Sequence, residues 1–403
     1  MTESEKLLTG TQAAEFLGVK PATLYAYVSR GMLDSVPGLT ARQRSYRLSD
    51  LIRLRQSNRG YKASDSEDST WTGPVIKSAI TEIRDDGHYY RGVSAIELAK
   101  NGTAFEDVAE LLWETNGDIE SWQGQEPLPI PAHLADAAAE VDSLDLLKGL
   151  LVSAEMSDPV PGRLTADSIF ETARRLIVTM PRAIVTDRGQ DFPATTSIAE
   201  NVLFALTGDS SKEKASLVNC ALVLCADHEL NASALAARIA ASCDASLYSC
   251  LLSALSTFSG TSHGSASRRA EDIVGSSLKF DTTRAWLNDY LRKFEHIPGF
   301  GTELYSGGDP RARLLIEMAH SASDRDPRLA RLEEIVACIR ELLGLEPNLD
   351  FGLAAMSYAL HLPPGSGTTI FAVSRTAGWI AHAAEQRSYG GSIRPRARYI
   401  GKA

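Results

Sequence analysis

Long apolar runs, paired cysteines, a positive overall charge and alternating strand patterns are all scarce in this chain, and each scarcity removes a class of function. No window approaches the roughly 18–20 continuous apolar residues of a membrane span. The opening MTESEKLLTG has no apolar signal core, so a cytoplasmic location is expected, with no membrane partner. The five cysteines, Cys220, Cys225, Cys243, Cys250 and Cys338, form no CxxC pair and lie at no zinc-ligand spacing with histidine. They read as buried reduced thiols in alanine- and leucine-rich segments, and no metal is expected. A formal charge of −10 argues against the whole chain coating nucleic acid. That charge is uneven: residues 1–60 hold nine Lys+Arg against five Asp+Glu, leaving 32 basic against 46 acidic residues in the remainder. No internal repeat is evident.

What is present is ample material for a packed core. With 403 residues and 44% apolar content, two or three domains are expected. Thr9 followed by Gln12 is a capping-box start, Leu8 is placed to staple against Ala13, and a short helix through Leu17 stops at Gly18. Pro21 opens a second helix that runs to Arg30 and stops at Gly31. Beyond it come Ser35–Arg47, with Arg42, Arg44 and Arg47, and a further helix capped by Ser49 that carries Leu51, Ile52 and Leu54. Residues 1–59 therefore resemble the N-terminal helix-turn-helix of MerR-like regulators. Ala22 and Tyr25 stand where those regulators carry arginines. Phosphate-contacting cations supply most affinity for DNA, so a DNA partner and a packing or assembly module both stay open for this segment. Residues 60–70, GYKASDSEDST, are polar and acidic and read as a linker.

From Trp71 onward helical patterns dominate, over 132–154, 164–179, 197–206, 211–224, 232–256, 285–294, 311–319, 328–343 and 378–386. A mainly α fold follows.

Several stretches share one further property, which is their order. Tyr90-Arg91-Gly92 follows a short hairpin pattern and precedes the helix pattern Phe105–Leu112. Then come Asp227-His228-Glu229-Leu230-Asn231-Ala232-Ser233, the turn Gly260-Thr261-Ser262-His263-Gly264, and IPGFGTELYSGGDPR over 297–311. Pro347-Asn348-Leu349-Asp350-Phe351, Ser374-Arg375-Thr376-Ala377-Gly378-Trp379-Ile380 and Ile393-Arg394-Pro395-Arg396 complete the set. In this order, across some 330 residues, they resemble the citrate synthase family, including citrate and 2-methylcitrate synthases. The resemblance implies a large helical domain of residues 71–267 plus 371–403 and a small domain of 268–370. It also implies an acyltransferase reaction: condensation of acetyl-CoA, or another short acyl-CoA, with oxaloacetate or a related 2-oxo acid. Acyl-CoA is then a substrate, and no cofactor is expected.

Removing a proton from a thioester methyl needs a carboxylate base and a hydrogen-bond donor at the thioester oxygen. Taken singly, Asp350 reads as a helix-cap residue and His263 as a turn residue. Within the matching motifs, Asp350 takes the position of the base and His263 that of the enol-stabilising acid. The resemblance assigns His228, Arg311, Arg375 and Arg394 to the dicarboxylate, since guanidinium forks suit carboxylates. It assigns Pro298, Gly299, Phe300 and Gly301 to CoA. Arg394 is the arginine that the family borrows from a neighbouring subunit, which implies a homodimer or a heterodimer with a paralogue.

One family residue is absent. The histidine that polarises the ketone is Thr302 here, and the arginine after it is Glu303. Losing one oxyanion donor costs on the order of 10²–10³ in rate. Two expectations follow: a condensing enzyme with an altered or impaired site, or a weak or inactive homologue that senses ligand or serves as partner subunit to an intact paralogue. His296, His320 and His382 are the candidates to replace the lost imidazole, and each also reads as a surface or packing residue.

Overall fold

The protein is described from a computed structural model covering residues 7–17, 19–29, 33–37, 44–47, 50–51, 54, 76–115, 117, 119–158, 166–185, 192–193, 195, 197–294, 296–302, 304–305, 307–322, 327–395 and 399. The expected helix stops at Gly18 and Gly31, the residues Arg42 and Ser49, the linker 60–70, and Glu303 all lie outside them.

At the front, β1 (Leu7–Thr9), β2 (Val36–Pro37) and β3 (Arg44–Arg47) form an antiparallel sheet in the order β1-β3-β2, beside α1 (Gly10–Leu17) and α2 (Pro21–Ser29). The capping box closes in both directions: Thr9 N–H donates to Gln12 Oε1 at 3.0 Å, and Gln12 N–H to Thr9 Oγ1 at 3.4 Å. These elements bury their own small core of Ala13, Ala14, Leu24, Leu33, Tyr46, Leu51 and Leu54.

Among the described residues the rest is helical apart from one small sheet, β4 (Thr81–Arg84), β5 (Gly87–Tyr90) and β6 (Val93–Ser94), whose register pairs Thr81 with Tyr90 and Ile83 with His88. It leads into α3 (Ala95–Lys100) and α4 (Phe105–Trp113). Then come α5 (Ala132–Ala137), α6 (Ser143–Ser157), α7 (Ala166–Ile184), α8 (Ile198–Thr207) and α9 (Lys212–Cys225). Next are α10 (Ala232–Ala241), α11 (Leu247–Phe258), α12 (Ala266–Ser277) and α13 (Thr283–Lys293). The last four are α14 (Pro310–Ala322), α15 (Pro327–Leu343), α16 (Leu349–Ala359) and α17 (Ser366–Tyr389).

Two expected helices are broken, each by a local polar signal. The pattern over 132–154 divides because the Asp142 carboxylate accepts the Leu144 N–H at 2.9 Å and starts α6 afresh. The pattern over 232–256 divides where Asp244 adopts φ +58° and Ser246 caps α11 through the Ser249 N–H at 3.0 Å. That same break leaves Cys243 exposed, against the expectation of a buried thiol; Cys220, Cys225 and Cys250 are buried, Cys338 is intermediate, and all five are free. The pattern over 378–386 is only the end of α17, which begins at Ser366 and is buried on nearly every side. A helix buried all round lies in the centre of a core, and its polar side chains, Arg375 and His382 among them, are buried with it. Here α4, α7, α9, α10, α11, α12 and α16 pack around it, and one continuous cluster runs from Ile80 to Ala381.

Candidate active site

The carboxyl end of α9 runs directly into Ala226-Asp227-His228, and this segment lies hard against α17 at Gly378. A Cβ there would sit 2.4 Å from the Ala226 carbonyl oxygen and 2.5 Å from Asp227 Oδ1. Only glycine lets the two backbones approach this closely. Asp227 is fully buried, accepts the Thr81 hydroxyl at 2.6 Å, and faces His382 Nε2 at 3.3 Å. Burial would raise its pKa, but His382, Arg375 and Thr81 together hold it below the usual value, so it is ionised. Beneath it, Arg238 donates to His382 Nδ1 at 3.0 Å and pairs with Glu385.

Two buried guanidiniums and two buried imidazoles meet beside this carboxylate. Arg311, in the first turn of α14, is gripped by Asp309 through Nε–Oδ1 at 2.9 Å and Nη2–Oδ2 at 2.7 Å. The same Asp309 Oδ2 accepts the Leu349 N–H at 3.1 Å, tying the start of α14 to the start of α16. Burial alone would raise Asp309; the Arg311 charge and hydrogen bonds bring it below its usual value. Arg375, on α17, donates Nε–H to the Cys225 carbonyl at 2.7 Å, while its Nη2 is buried with no hydrogen-bond partner among the described residues. It also makes no ion pair among them. His228 Nε2 lies 2.7 Å from the Tyr305 hydroxyl, and burial, then the charge of Arg311, keeps its pKa well below the ordinary value. Its ring is centred 5.3 Å from that of His88, a residue for which the sequence reading held no role.

Asp350 and His263 sit on another side of the same cluster. Asn348 caps α16 by accepting the Asp350 N–H at 3.0 Å, which frees the Asp350 carboxylate for other work. Burial pushes its pKa up to about 6, against the Ser267 hydroxyl that donates to Oδ1 at 2.5 Å and the more distant Arg311 charge. His263 occupies the tight turn after α11, with Nε2 2.9 Å from Ser233 Oγ. The Ser233 hydroxyl itself donates to Asn231 Oδ1 at 2.8 Å and accepts the Trp379 indole N–H at 3.1 Å. Burial, then Arg375, brings His263 down to about 4, so the ring is neutral at pH 7.

The 297–311 loop is stitched to the lead-in of α16. Gly301 N–H donates to Glu346 O at 2.8 Å, Asn348 N–H to Gly299 O at 2.9 Å, and Phe300 bridges to Pro347. Gly299 has φ +81°, and a Cβ on it would meet Ala270 and Phe351 at 3.0 Å. Pro298, Gly299, Phe300 and Gly301 are thus held against the element that carries Asp350. Thr302 follows in the same loop, half-buried.

Of the three histidines considered as substitutes, two lie away from the cluster and one lies against Asp227. His296 is exposed, His320 faces Glu333 at 3.3 Å on the α14–α15 surface, and His382 is locked between Arg238 and Asp227. Arg394 is exposed beyond the end of α17, beside Ile393, whose N–H donates to Ser242 Oγ at 3.2 Å. Among the described residues it makes no hydrogen bond or ion pair with the cluster.

The family profile described as citrate synthase, C-terminal domain, matches residues 70–396. A citrate synthase of Haloferax volcanii is 33% identical over 367 residues, covering 81% of this chain and 94% of the relative. A 2-methylcitrate synthase of Shewanella oneidensis is 30% identical over 347 residues, covering 79% and 90%. Among solved structures, a citrate synthase of Thermoplasma acidophilum in ternary complex with carboxymethyl coenzyme A and oxaloacetate superposes with a TM-score of 0.69 at 24% identity, covering 82% of this chain and 94% of that one. Profile, relatives and fold agree over the same helical body, and the chain belongs to the citrate synthase family, as an acyltransferase of that type.

Proposed function

We propose that the chain condenses a short acyl-CoA, acetyl-CoA first among them, with oxaloacetate or a close 2-oxo dicarboxylate, using Asp350 as base and His263 as the donor to the thioester oxygen. The observation that carries this reading is the unpartnered, buried Nη2 of Arg375 beside an Arg311 held rigid by Asp309. A buried guanidinium edge with no partner costs free energy, which an arriving carboxylate recovers. The free Arg375 edge suits one carboxylate, the charge of Arg311 beside it favours a second, and Arg394 from a second copy would close the set in a dimer.

Asp350 removes a proton from the α-carbon while His263 stabilises the enol oxygen. The enol carbon then bonds to the ketone carbon, the ketone oxygen takes up a proton, and water hydrolyses the new thioester to release CoA. A base with a pKa near 6 is largely ionised at pH 7 and still strong enough to attack a weak carbon acid. The loop 298–301 serves the CoA side, and closure of a small domain of 268–370 over the large one would exclude water.

Thr302 favours a second reading, in which the site binds its dicarboxylate but turns over slowly and reports through residues 1–59 as a MerR-like helix-turn-helix, or pairs with an intact paralogue in the cytoplasm. Arg44 is exposed on β3, as DNA phosphate contact requires. CoA release from acetyl-CoA and oxaloacetate by the purified chain, with Asp350→Ala as control, separates the two. Turnover in the wild type alone supports the enzyme. Silence of both, with oxaloacetate still binding in calorimetry, leaves the sensor or partner subunit, and a gel shift with upstream DNA at low salt then tests its DNA arm.

A further inference from the structure

Resting on that acceptor reading, we propose that His88 contacts the keto oxygen of the 2-oxo acid and protonates it as the carbon–carbon bond forms, replacing the imidazole that Thr302 lacks. His88 projects from β5 on the same face as Tyr90, is fully buried, and shares the cluster with His228 on the α9 extension, Asp309 and Arg311 at the start of α14, and Arg375 and Asp227 at the α17 contact. Its Nδ1 is buried with no hydrogen-bond partner among the described residues. The other nitrogen is accounted for. The Tyr90 hydroxyl gives its single proton to the Val223 carbonyl at 2.8 Å, and its lone pairs take the Asp227 N–H at 3.2 Å and His88 Nε2–H at 3.0 Å. That leaves Nδ1 as the lone unspent polar atom of the ring.

Burial, then the charges of Arg311 and Arg375, brings His88 down to about 3, with Asp309 and Asp227 opposing. A dicarboxylate neutralises those two guanidiniums and adds negative charge beside the ring, which moves His88 back towards its protonated form. The imidazolium then donates from Nδ1 to the keto oxygen. When the enol carbon attacks, the π electrons of the C=O bond move to oxygen, the Nδ1 proton passes to it as the product hydroxyl, and His88 is left neutral. The proton taken from the α-carbon stays on Asp350 until the thioester is hydrolysed and is then lost to water.

The test is calorimetric titration of oxaloacetate into the full-length chain at pH 7, in two buffers of different ionisation enthalpy, alongside CoA release. Wild type, His88→Leu, His88→Asn and the double variant His88→Leu/Thr302→His are compared, with folding checked by thermal melts. The expected result is uptake of up to about one proton on binding in the wild type, lost in both single variants. With it goes a fall of about 10²–10³ in kcat, of which Thr302→His restores at least about tenfold. A structural role alone would not move the proton count or respond to the loop histidine. Folded single variants that keep both the proton uptake and the wild-type kcat overturn the proposal and leave the condensing function standing. A wild type without turnover whose proton uptake is nevertheless lost in both variants overturns the condensation and upholds the His88 contact. A wild type that neither binds nor turns over removes both.

Discussion

Replacing Ser267 by alanine is the sharpest test of Asp350 as a base. The Ser267 hydroxyl donates to Asp350 Oδ1 at 2.5 Å and stabilises the ionised carboxylate over the acid. A hydrogen bond to a charged group contributes about 1.5–3 kcal/mol, or roughly 1–2 pKa units. Removing it therefore moves the Asp350 pKa upward from about 6, to roughly 7–8. The base works only when ionised, so the acidic limb of kcat/KM shifts to higher pH by the same amount. At pH 7 the ionised fraction falls from about nine-tenths to between a half and a tenth, while at pH 9 the variant recovers nearly all of its activity, since the base it keeps is the stronger one. CoA release followed with a thiol reagent from pH 5 to 9 reads the profile directly. An acidic limb that stays near pH 6, or a loss of rate equal at every pH, would refute the assignment of Asp350 as the titrating base.

Three further predictions follow from the same geometry. Asp350→Asn abolishes turnover yet stabilises the fold at pH 8 by about 1–3 kcal/mol in urea melts. The folded-state pKa lies above the unfolded value, so the carboxylate destabilises the fold increasingly as pH rises from about 4 to about 6, and the gain from Asn vanishes near pH 4; equal gains at both pH values would contradict this. Arg375→Lys keeps the charge but loses the fork, and oxaloacetate affinity in calorimetry is expected to drop about 30-fold or more; an unchanged affinity would remove Arg375 from the acceptor site. Gly378→Ala drives a Cβ into the Ala226 backbone carbonyl and the buried Asp227 side chain, and is expected to lower stability by at least about 2 kcal/mol in thermal or urea unfolding, with loss of oxaloacetate binding.

The helical class and the motif order were legible in the sequence because each rests on short-range information. Asn348 capping α16, Asn231 capping α10 and the Thr9–Gln12 box are local hydrogen-bond preferences that a few residues encode by themselves. Where local signals competed, the reading failed: a periodic apolar face continues through 132–154, and only the Asp142 cap ends one helix and begins another. Cys243 was misjudged for the same reason, since a break nearby, and not its own neighbours in sequence, sets its exposure.

His88 escaped notice because its meaning is entirely tertiary. A signal did exist, the period-2 alternation that puts His88 on the face of Tyr90 within the matched hairpin, but nothing in the hairpin says what that face meets. The sequence by itself determined a mainly helical member of the citrate synthase family, with Asp350, His263, Arg311 and Arg375 each set in a motif of its ordered series. Only the tertiary structure decided where the histidines stand: it exposes His296, faces His320 to Glu333, sets His382 between Arg238 and Asp227, and centres the His88 ring 5.3 Å from that of His228. The physical reason is that caps and periodicity act over a few residues, whereas the meeting of β5, the end of α9 and the middle of α17 is set by burying one continuous core and by the close approach that Gly378 permits.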